Sequence, residues 1–572
     1  MNSMEHWWTK SIGYIIYPES FLDRNGDGIG DLNGITSKLD YLHDLGINLI
    51  WICPIFDSPM ADNGYDVSNY HRINPSFGTM EDFTNLINKA HSLGIRVILD
   101  FPLNHTSDEH PWFQMAIKDE NSEEHGYYFF KKGKRENGNI LPPNNWESFF
   151  GGSVWERVPD KEDEYYFHLF DKKMPDVNWD NPKLREKYYE IAKFWLDKGV
   201  DGFRLDACAH LSKDTSFKDS SKPKDASGYV LDTDCYSNRE ELLCYLNDFK
   251  KNVFSHYDCL LIGEIGGAIS PSDSLKLSSY RIGPLNMVFN FDTVWNNGAF
   301  ESIGKKDEEI RTDVSLLKEN FMRWYNACHD EADMPLYWCN QDHPRVLSQY
   351  GDTRFRSESA KMLLTTLLFL YGTPFLFQGE EIGMSNARYS HVEDFFIGDP
   401  SDKDEVISLR KRGFKEDEIL AYLHRCSRAN ARTPLQWNKE ENAGFSSAKL
   451  PLPIDSNYLE GVNVLSEMED PYSILNFYQY AIWKRRDPLI NESVIHGKLS
   501  LVDPNHPDVF AYLHSGGSQE KLMVISNFRP YEVKFTFYYD IRDVLLHNYE
   551  GVILDNHVFT LRPFESFLLT IR

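Results

Sequence analysis

The sequence is poor in the features that mark nucleic-acid-binding, membrane-spanning or disulfide-stapled proteins. Bases are outnumbered by acids, 60 Lys and Arg against 87 Asp and Glu, for a formal net charge of −27. Such a field repels phosphate backbones and anionic lipid, which argues against nucleic-acid and membrane partners. No apolar run is long enough to cross a bilayer. The most apolar one, Met362 to Phe377, is interrupted by Gly372-Thr373-Pro374 and reads as a buried helix followed by a buried strand. The opening Met1-Asn2-Ser3-Met4-Glu5-His6-Trp7-Trp8 lacks the basic start and apolar stretch of a secretory signal. The eight cysteines form no CxxC pair, and several sit in apolar runs such as Cys259-Leu260-Leu261-Ile262. They read as free thiols in a reducing cytoplasm. Internal repeats and low-complexity linkers are missing too.

What is present is an ordinary globular balance. Of the 572 residues, 41% are hydrophobic and 26% charged, which suits several folded domains of roughly 150 residues each. Aromatics reach 14%, a content that suits neutral polar ligands such as sugars. Short apolar runs recur at Gly13–Tyr17, Asn48–Ile52, Arg96–Phe101, Gly202–Asp206, Leu260–Glu264, Asn286–Phe291, Leu336–Cys339 and Pro374–Phe377. Amphipathic stretches lie between them, among them Gly34–Leu45, Met80–Leu93, Pro182–Lys198 and Ile310–Cys328, and a last helix is expected at Pro471–Arg486. Strands alternating with helices imply right-handed crossovers and a parallel sheet, and eight such strands predict an α/β fold of the (β/α)8 TIM-barrel type. Two regions break the rhythm. The stretch 105–174 is rich in Tyr, Phe, Asn and Gly and too long for a plain loop, so it predicts an inserted domain after the third strand. From about Ile490 the pattern becomes strand after strand, separated by turns such as Ser515-Gly516-Gly517, which predicts a C-terminal antiparallel β-sandwich. The expected division is therefore 1–104 and 175–490 for the barrel, 105–174 for the insert and 491–572 for the β domain.

Barrel enzymes carry their working residues at the C-terminal ends of the strands. Here those ends read Asp100-Phe101-Pro102-Leu103-Asn104-His105, Arg204-Leu205-Asp206, Gly263-Glu264 and Asn340-Gln341-Asp342. Four carboxylates and a histidine thus converge on one mouth. Arg204 and Asp206 are two apart on a strand and share a face, so the guanidinium is expected to keep Asp206 ionised as a nucleophile. Glu264 follows an apolar run, where desolvation is expected to raise its pKa and suit it as a general acid and base. Two carboxylates in those roles are what retaining glycoside hydrolysis needs.

The segments Asp100–His105, Gly202–Asp206, Gly263–Glu264 and Asn340–Asp342 resemble the signature regions of glycoside hydrolase family 13, the α-amylase family, and Met174–Trp179 resembles a further one. Asn63-Gly64-Tyr65-Asp66, His105–His110, Gln378–Gly383 and Arg432–Trp437 are similar to the oligo-1,6-glucosidase and α-glucosidase group within it. The resemblance implies Asp206 as nucleophile, Glu264 as acid/base and Asp342 as the third carboxylate gripping sugar hydroxyls. It also implies that His105 and Arg204 contact the bound glucose, that Tyr65 stacks on its ring, and that Asp66 and Arg432 close the pocket beyond the non-reducing end. A closed pocket means glucose released one unit at a time from short oligosaccharides.

Near the start, Asp23-Arg24-Asn25-Gly26-Asp27-Gly28-Ile29-Gly30-Asp31 places oxygen donors at every second position with glycines for a sharp turn. The twelfth position is Gly34 instead of a bidentate Glu, so this is not an EF-hand. The resemblance implies a structural Ca2+ or Mg2+ here, held by Asp23, Asn25, Asp27, the Ile29 carbonyl and Asp31.

Relatives usually have His before the third carboxylate, where Gln341 stands, and Gln, Arg and Asp where Ile15, Glu19 and Asn69 stand. His343, two residues beyond Gln341, is expected on the same face if the strand stays extended, and so placed to replace the missing imidazole. Gln341 is counted with the sugar-binding residues, and Gln341→His is expected to keep or raise turnover. Ala207, after the nucleophile, leaves the aglycone side open and favours α-1,4 or mixed linkage. Two other readings share these motifs: glucosyl transfer or sucrose isomerisation through the same intermediate, and a non-catalytic transporter-associated relative, against which the intact carboxylates speak. The sequence leaves monomer and small homo-oligomer both open.

Overall fold

The computed structural model describes residues 6–224, 228–266, 269–306, 309–516 and 521–572. Residues 1–5 of the opening segment and Gly517 of the expected turn lie outside these. Eight parallel strands form one sheet: β1 Gly13–Ile16, β2 Leu49–Ile52, β3 Arg96–Pro102, β4 Gly202–Asp206, β5 Leu260–Glu264, β6 Met287–Phe289, β7 Pro335–Tyr337 and β8 Thr373–Phe377. Their order is β6-β5-β4-β3-β2-β1-β8-β7. β6 and β7 meet without a ladder; Tyr337 Oη donates to the Asn290 carbonyl at 2.6 Å, and the Phe289 and Tyr337 rings pack at 4.8 Å. The strands are mostly apolar because helices cover one face and the barrel interior the other, with charged residues such as Asp100, Arg204, Asp206 and Glu264 set toward the mouth. Gly202, at φ +149, brings β4 so close to β5 that a Cβ there would stand 2.0 Å from the Leu260 carbonyl oxygen.

Several helices follow the expected alternation, including Met80–Ser92, Pro182–Asp197, Glu240–Asn252, Val314–Cys328, Arg356–Leu368 and Ile474–Arg486. The stretch expected as one helix over Gly34–Leu45 is two, Leu32–Ser37 and Leu39–Leu45, broken at Lys38. Among the described residues no helix is long and apolar enough to cross a membrane. The inserted region forms a three-stranded antiparallel sheet of Phe130–Lys132, Glu164–Phe167 and Trp155–Arg157. Its core of Trp146, Trp155 and Phe167 also takes in Phe217 and Tyr236 from the loop after β4. After β8 comes a lobe that the strand-and-helix rhythm did not announce. The helices Asp402–Lys411 and Glu416–Cys426 enclose a small core of their own, built on Phe395, Leu409, Ile419 and Leu423. Beyond Lys498 two antiparallel sheets, of five and three strands, trap Val509, Met523, Phe535, Phe559 and Phe567 between them as a sandwich. The strands Lys498–Leu501 and Ile541–His547 add to those expected there.

Candidate active site

Register builds the centre of the site. Asp100 on β3 lies beside Arg204 on β4, and Arg204 shares a face with Asp206 two residues on. The Arg204 guanidinium is almost completely buried: Nη1 donates to Asp100 Oδ1 at 2.7 Å and to Asp206 Oδ1 at 2.5 Å, and Nη2 forms an ion pair with Glu264 Oε1 at 2.9 Å. Asp100 also accepts from Trp51 Nε1 at 3.2 Å and from Tyr65 Oη at 3.0 Å. Glu264 accepts a further bond from the Ala207 N–H at 2.8 Å. Ala207 makes that bond from a left-handed backbone, φ 49°.

One expectation about charge is revised. Burial raises the Asp206 carboxyl well above the ordinary carboxylate range; Arg204 opposes this, but the Glu264, Asp100 and Asp342 charges add to it. Asp100, also raised by burial, reaches about 6. One buried guanidinium thus serves three carboxylates, and burial together with like charges nearby raises two of them, Asp206 and Asp100. Glu264 is not the bare carboxyl in an apolar hole that its sequence context suggested, since a guanidinium and an amide N–H both face it.

The fourth carboxylate comes from the loop after β7. Burial pushes the Asp342 carboxyl up, but Arg428, Arg432 and Arg204 outweigh that and hold it below its usual range. Arg428 Nη1 lies 3.4 Å and Arg432 Nη2 3.3 Å from Asp342 Oδ1. Asp206, Glu264, Asp342, Tyr65 and His105 line a cavity of about 110 Å³ at the barrel mouth. That is well under the roughly 300 Å³ at the lower end of drug-sized sites and suits one small ring. Its remaining wall includes Phe150, Phe170 and Met174 from the insert, together with Asp62 and Arg428. Burial lowers the His105 imidazole to about 4, so it is neutral at pH 7, and its Nε2 is buried with no partner in the protein.

The cavity is closed by a different pair from the one expected. Asp66 is fully buried and accepts from Ser58 Oγ and from the N–H groups of Ala61 and Asp62 at 2.9–3.0 Å, so it organises its own turn and makes no pair with Arg432. Asp62, four residues earlier, faces Arg428 Nη2 at 3.5 Å. Arg428 is in turn held bidentately by Asp399 at 2.7 and 2.8 Å and lies over the Phe150 ring. Arg432 sits behind the wall, donating to the carbonyls of Gln341 at 2.9 Å and Gly398 at 3.2 Å. Asp62 was legible as a second carboxylate flanking the same Asn63-Gly64 turn; Arg428 and Asp399 had no signal in the sequence.

The expected compensation by His343 is also overturned. Asn340 Oδ1 accepts from the Asp342 N–H at 2.8 Å, an Asx-turn that ends the extended backbone, so residues 341 and 343 do not share a face. His343 is buried away from the cavity against Trp295 and Phe291, with neither ring nitrogen bonded, and burial lowers it to about 4. Gln341 is fully buried and donates through Nε2 to Tyr65 Oη at 2.7 Å and to Asp342 Oδ2 at 3.0 Å. Of the other departures, Ile15 is core on β1 and Asn69 opens the short strand Asn69–Ile73. Glu19 accepts from Tyr17 Oη at 3.2 Å, and burial raises its carboxyl.

In the Asp23–Asp31 loop every side-chain donor is oxygen, and Gly26 and Gly28 supply positive φ. Asp23 and Asp31 each accept from backbone N–H groups of the loop at 2.6–3.1 Å, and Asp31 also caps the helix Leu32–Ser37 by accepting from the Gly34 N–H at 2.6 Å. Among the described residues no three Asp, Glu, His or Cys side chains are gathered closely enough to hold a metal by themselves. An ion here would need the Asn25 amide and the Ile29 carbonyl as well, a hard-oxygen set that fits Ca2+.

Residues 15–493 match the family model for the alpha amylase catalytic domain. The chain is 39% identical to an oligo-1,6-glucosidase of Bacillus cereus, over 99% of this chain and 100% of that protein. Among solved structures, a trehalose-6-phosphate hydrolase of Bacillus licheniformis superposes with a TM-score of 0.90 at 36% identity, covering 99% of this chain and 100% of that one. The trehalulose synthase of Pseudomonas mesoacidophila MX-45 does so with a TM-score of 0.91 at 35% identity, over the whole of both chains.

Proposed function

Because the chain belongs to the α-amylase family of glycoside hydrolases, we propose that it is a retaining α-glucosidase that removes single glucose units from the non-reducing ends of short α-1,4 and α-1,6 gluco-oligosaccharides. The observation that carries this reading is the small cavity at the barrel mouth, beside which Asp206 and Glu264 rest on the two terminal nitrogens of one guanidinium. Asp206 attacks the anomeric carbon while Glu264 gives a proton to the departing glycosidic oxygen, forming a covalent glucosyl-enzyme. Glu264, now a carboxylate, takes a proton from water as that water displaces Asp206. Asp342, kept charged by its arginines, accepts from sugar hydroxyls, and the free Nε2 of neutral His105 meets another. Arg428 and Asp62 end the cavity behind the glucose.

Asp206→Asn and Glu264→Gln should each lower kcat on maltose, isomaltose and p-nitrophenyl α-glucoside by at least roughly a thousandfold with the fold intact. Near-wild-type activity in either variant would remove the assignment. The open position at Ala207 supports α-1,4 or mixed linkage; a clear preference for isomaltose over maltose in kcat/KM would count against that. The similarity to a trehalose-6-phosphate hydrolase and a trehalulose synthase gives a second reading, cleavage of a phosphorylated disaccharide or transfer of the glucosyl group to a sugar acceptor. Product identification with sucrose and with trehalose 6-phosphate separates these from simple hydrolysis. Asp23, Asn25, Asp27, Asp31 and the Ile29 carbonyl are proposed to hold a structural Ca2+, with Mg2+ as the other hard cation they suit. Free thiols at all eight cysteines support a cytoplasmic setting.

A further inference from the structure

Resting on the α-glucosidase reading, we propose that Gln341 is a positioning residue whose one side-chain nitrogen clamps the cavity wall at Tyr65 to the third carboxylate, Asp342. Both neighbours need a donor. Asp342, held ionised by three guanidinium groups, only accepts. Tyr65 has committed its own proton to Asp100 Oδ2 at 3.0 Å and has only lone pairs left to offer. A carboxamide meets both from a single atom, because its NH2 carries two protons; the observed bonds of 2.7 and 3.0 Å use one each. A ring nitrogen of histidine carries one proton at most, and the two ring nitrogens point in different directions. An imidazole at this place therefore serves one partner and abandons the other. Lysine or arginine would serve both, at the cost of a new charge among the guanidinium groups.

The backbone of Gln341 is engaged as well, its carbonyl accepting from Arg432 Nε at 2.9 Å. The side-chain Oε1 is buried without a partner in the protein, so the two donated bonds are what hold the amide in this orientation. Gln341 does not line the cavity, whereas Tyr65 and Asp342 do. Its effect on the reaction passes through them. From Tyr65 the connection continues through Asp100 to Arg204, and so to Asp206 and Glu264. The clamp thus ties the third carboxylate, supplied by the loop after β7, to the reacting pair on β4 and β5. The geometry reverses the expectation that Gln341→His keeps or raises turnover.

The test compares Gln341→Met, which keeps length and loses both donors, with Gln341→His and Gln341→Glu. Each is assayed for kcat and KM on maltose and p-nitrophenyl α-glucoside across pH, with melting temperature measured alongside. The Met variant should lose roughly ten- to a hundredfold in kcat/KM, as misplacement of reacting groups does, while its melting temperature changes little. The His variant should fall between Met and wild type. The Glu variant should move the acid limb of the kcat/KM profile to higher pH, because a second carboxylate beside Asp342 raises that group's pKa. An unchanged kcat/KM in the Met variant overturns the clamp, as does a His variant at or above wild-type turnover or a Glu variant with an unmoved acid limb. If the wild type itself cleaves no α-glucoside, the α-glucosidase reading falls, a different and separately visible result.

Discussion

Removing the Arg428 guanidinium should open the closed end of the cavity and disturb three carboxylates at once. The side chain is 20% exposed, donates bidentately to Asp399, and stands 3.4 Å from Asp342 and 3.5 Å from Asp62. In Arg428→Met the guanidinium over Phe150 is gone, Asp399 loses both charged bonds, and Asp62 loses its nearer arginine while Arg432 still acts on it. Asp342 keeps Arg432 at 3.3 Å, so it is weakened without being abandoned. Breaking one side of a mostly buried ion pair costs about 3 kcal/mol, and a loss of that size in transition-state stabilisation is roughly 150-fold in kcat/KM. Asp342, no longer depressed by its strongest cation, should titrate higher, so activity should be lost at a higher pH on the acid side. The opened end should also let the sugar chain run through, giving products longer than glucose from maltotetraose and longer substrates. Steady-state kinetics over pH, with chromatography of the products, measures all three. A Met variant that keeps wild-type kcat/KM and still yields only glucose would refute the idea that Arg428 closes the pocket.

Glu380, fully buried behind β8, is raised to about 8 by burial, with Glu381 adding and the Phe377 N–H opposing. A carboxyl whose folded pKa lies above its ordinary 4.5 contributes stability that is complete below about 4.5 and is lost as pH rises toward 8. Glu380→Gln should therefore raise the melting temperature more at pH 8 than at pH 5; an equal effect at both would contradict the assignment. Ala207→Val puts a β-branched residue at φ 49° and should cost about 1–2 kcal/mol of stability while narrowing the aglycone side, so relative activity should shift from maltose toward isomaltose. Unchanged stability together with unchanged preference would count against this account. If the Asp23–Asp31 loop holds Ca2+, chelation should lower the melting temperature and added Ca2+ restore it, by about 2.7 kcal/mol at a hundredfold excess over Kd. A melting temperature indifferent to chelator removes the ion from the description.

The barrel was legible because strands buried on both faces read as unbroken apolar runs, and the residues that follow each run stand at the mouth by construction. That logic located Asp206, Glu264, Asp342 and His105 without further help. It failed where a side chain redirects the backbone. The Asx-turn at Asn340 ends the extended register on which the placement of His343 depended, and only the folded contact shows it. It failed again at Asp62 and Asp66, which flank one turn; which of them faces the cavity depends on the turn's hydrogen bonds. The lobe after β8 was invisible because its core is small and its helices are interrupted by charged and glycine-containing segments. Strand Ile541–His547 was missed because its register shifts break the alternation of inward and outward residues.

The unladdered seam between β6 and β7 leaves the barrel open in backbone pairing at one place. Following hydrogen bonds from the strand that carries Glu264 to the one that leads to Asp342 means travelling the long way round, through β4, β3, β2, β1 and β8. Across the short side the join is made by side chains, among them a tyrosine hydroxyl on a carbonyl and a ring contact. Backbone pairing thus runs round the whole sheet except at that one join, like a ring with a slit. The slit stands on the short side between the strand that carries Glu264 and the one that leads to Asp342, which makes the Tyr337 hydroxyl a clasp between the two sides of the pocket as well as a piece of the core.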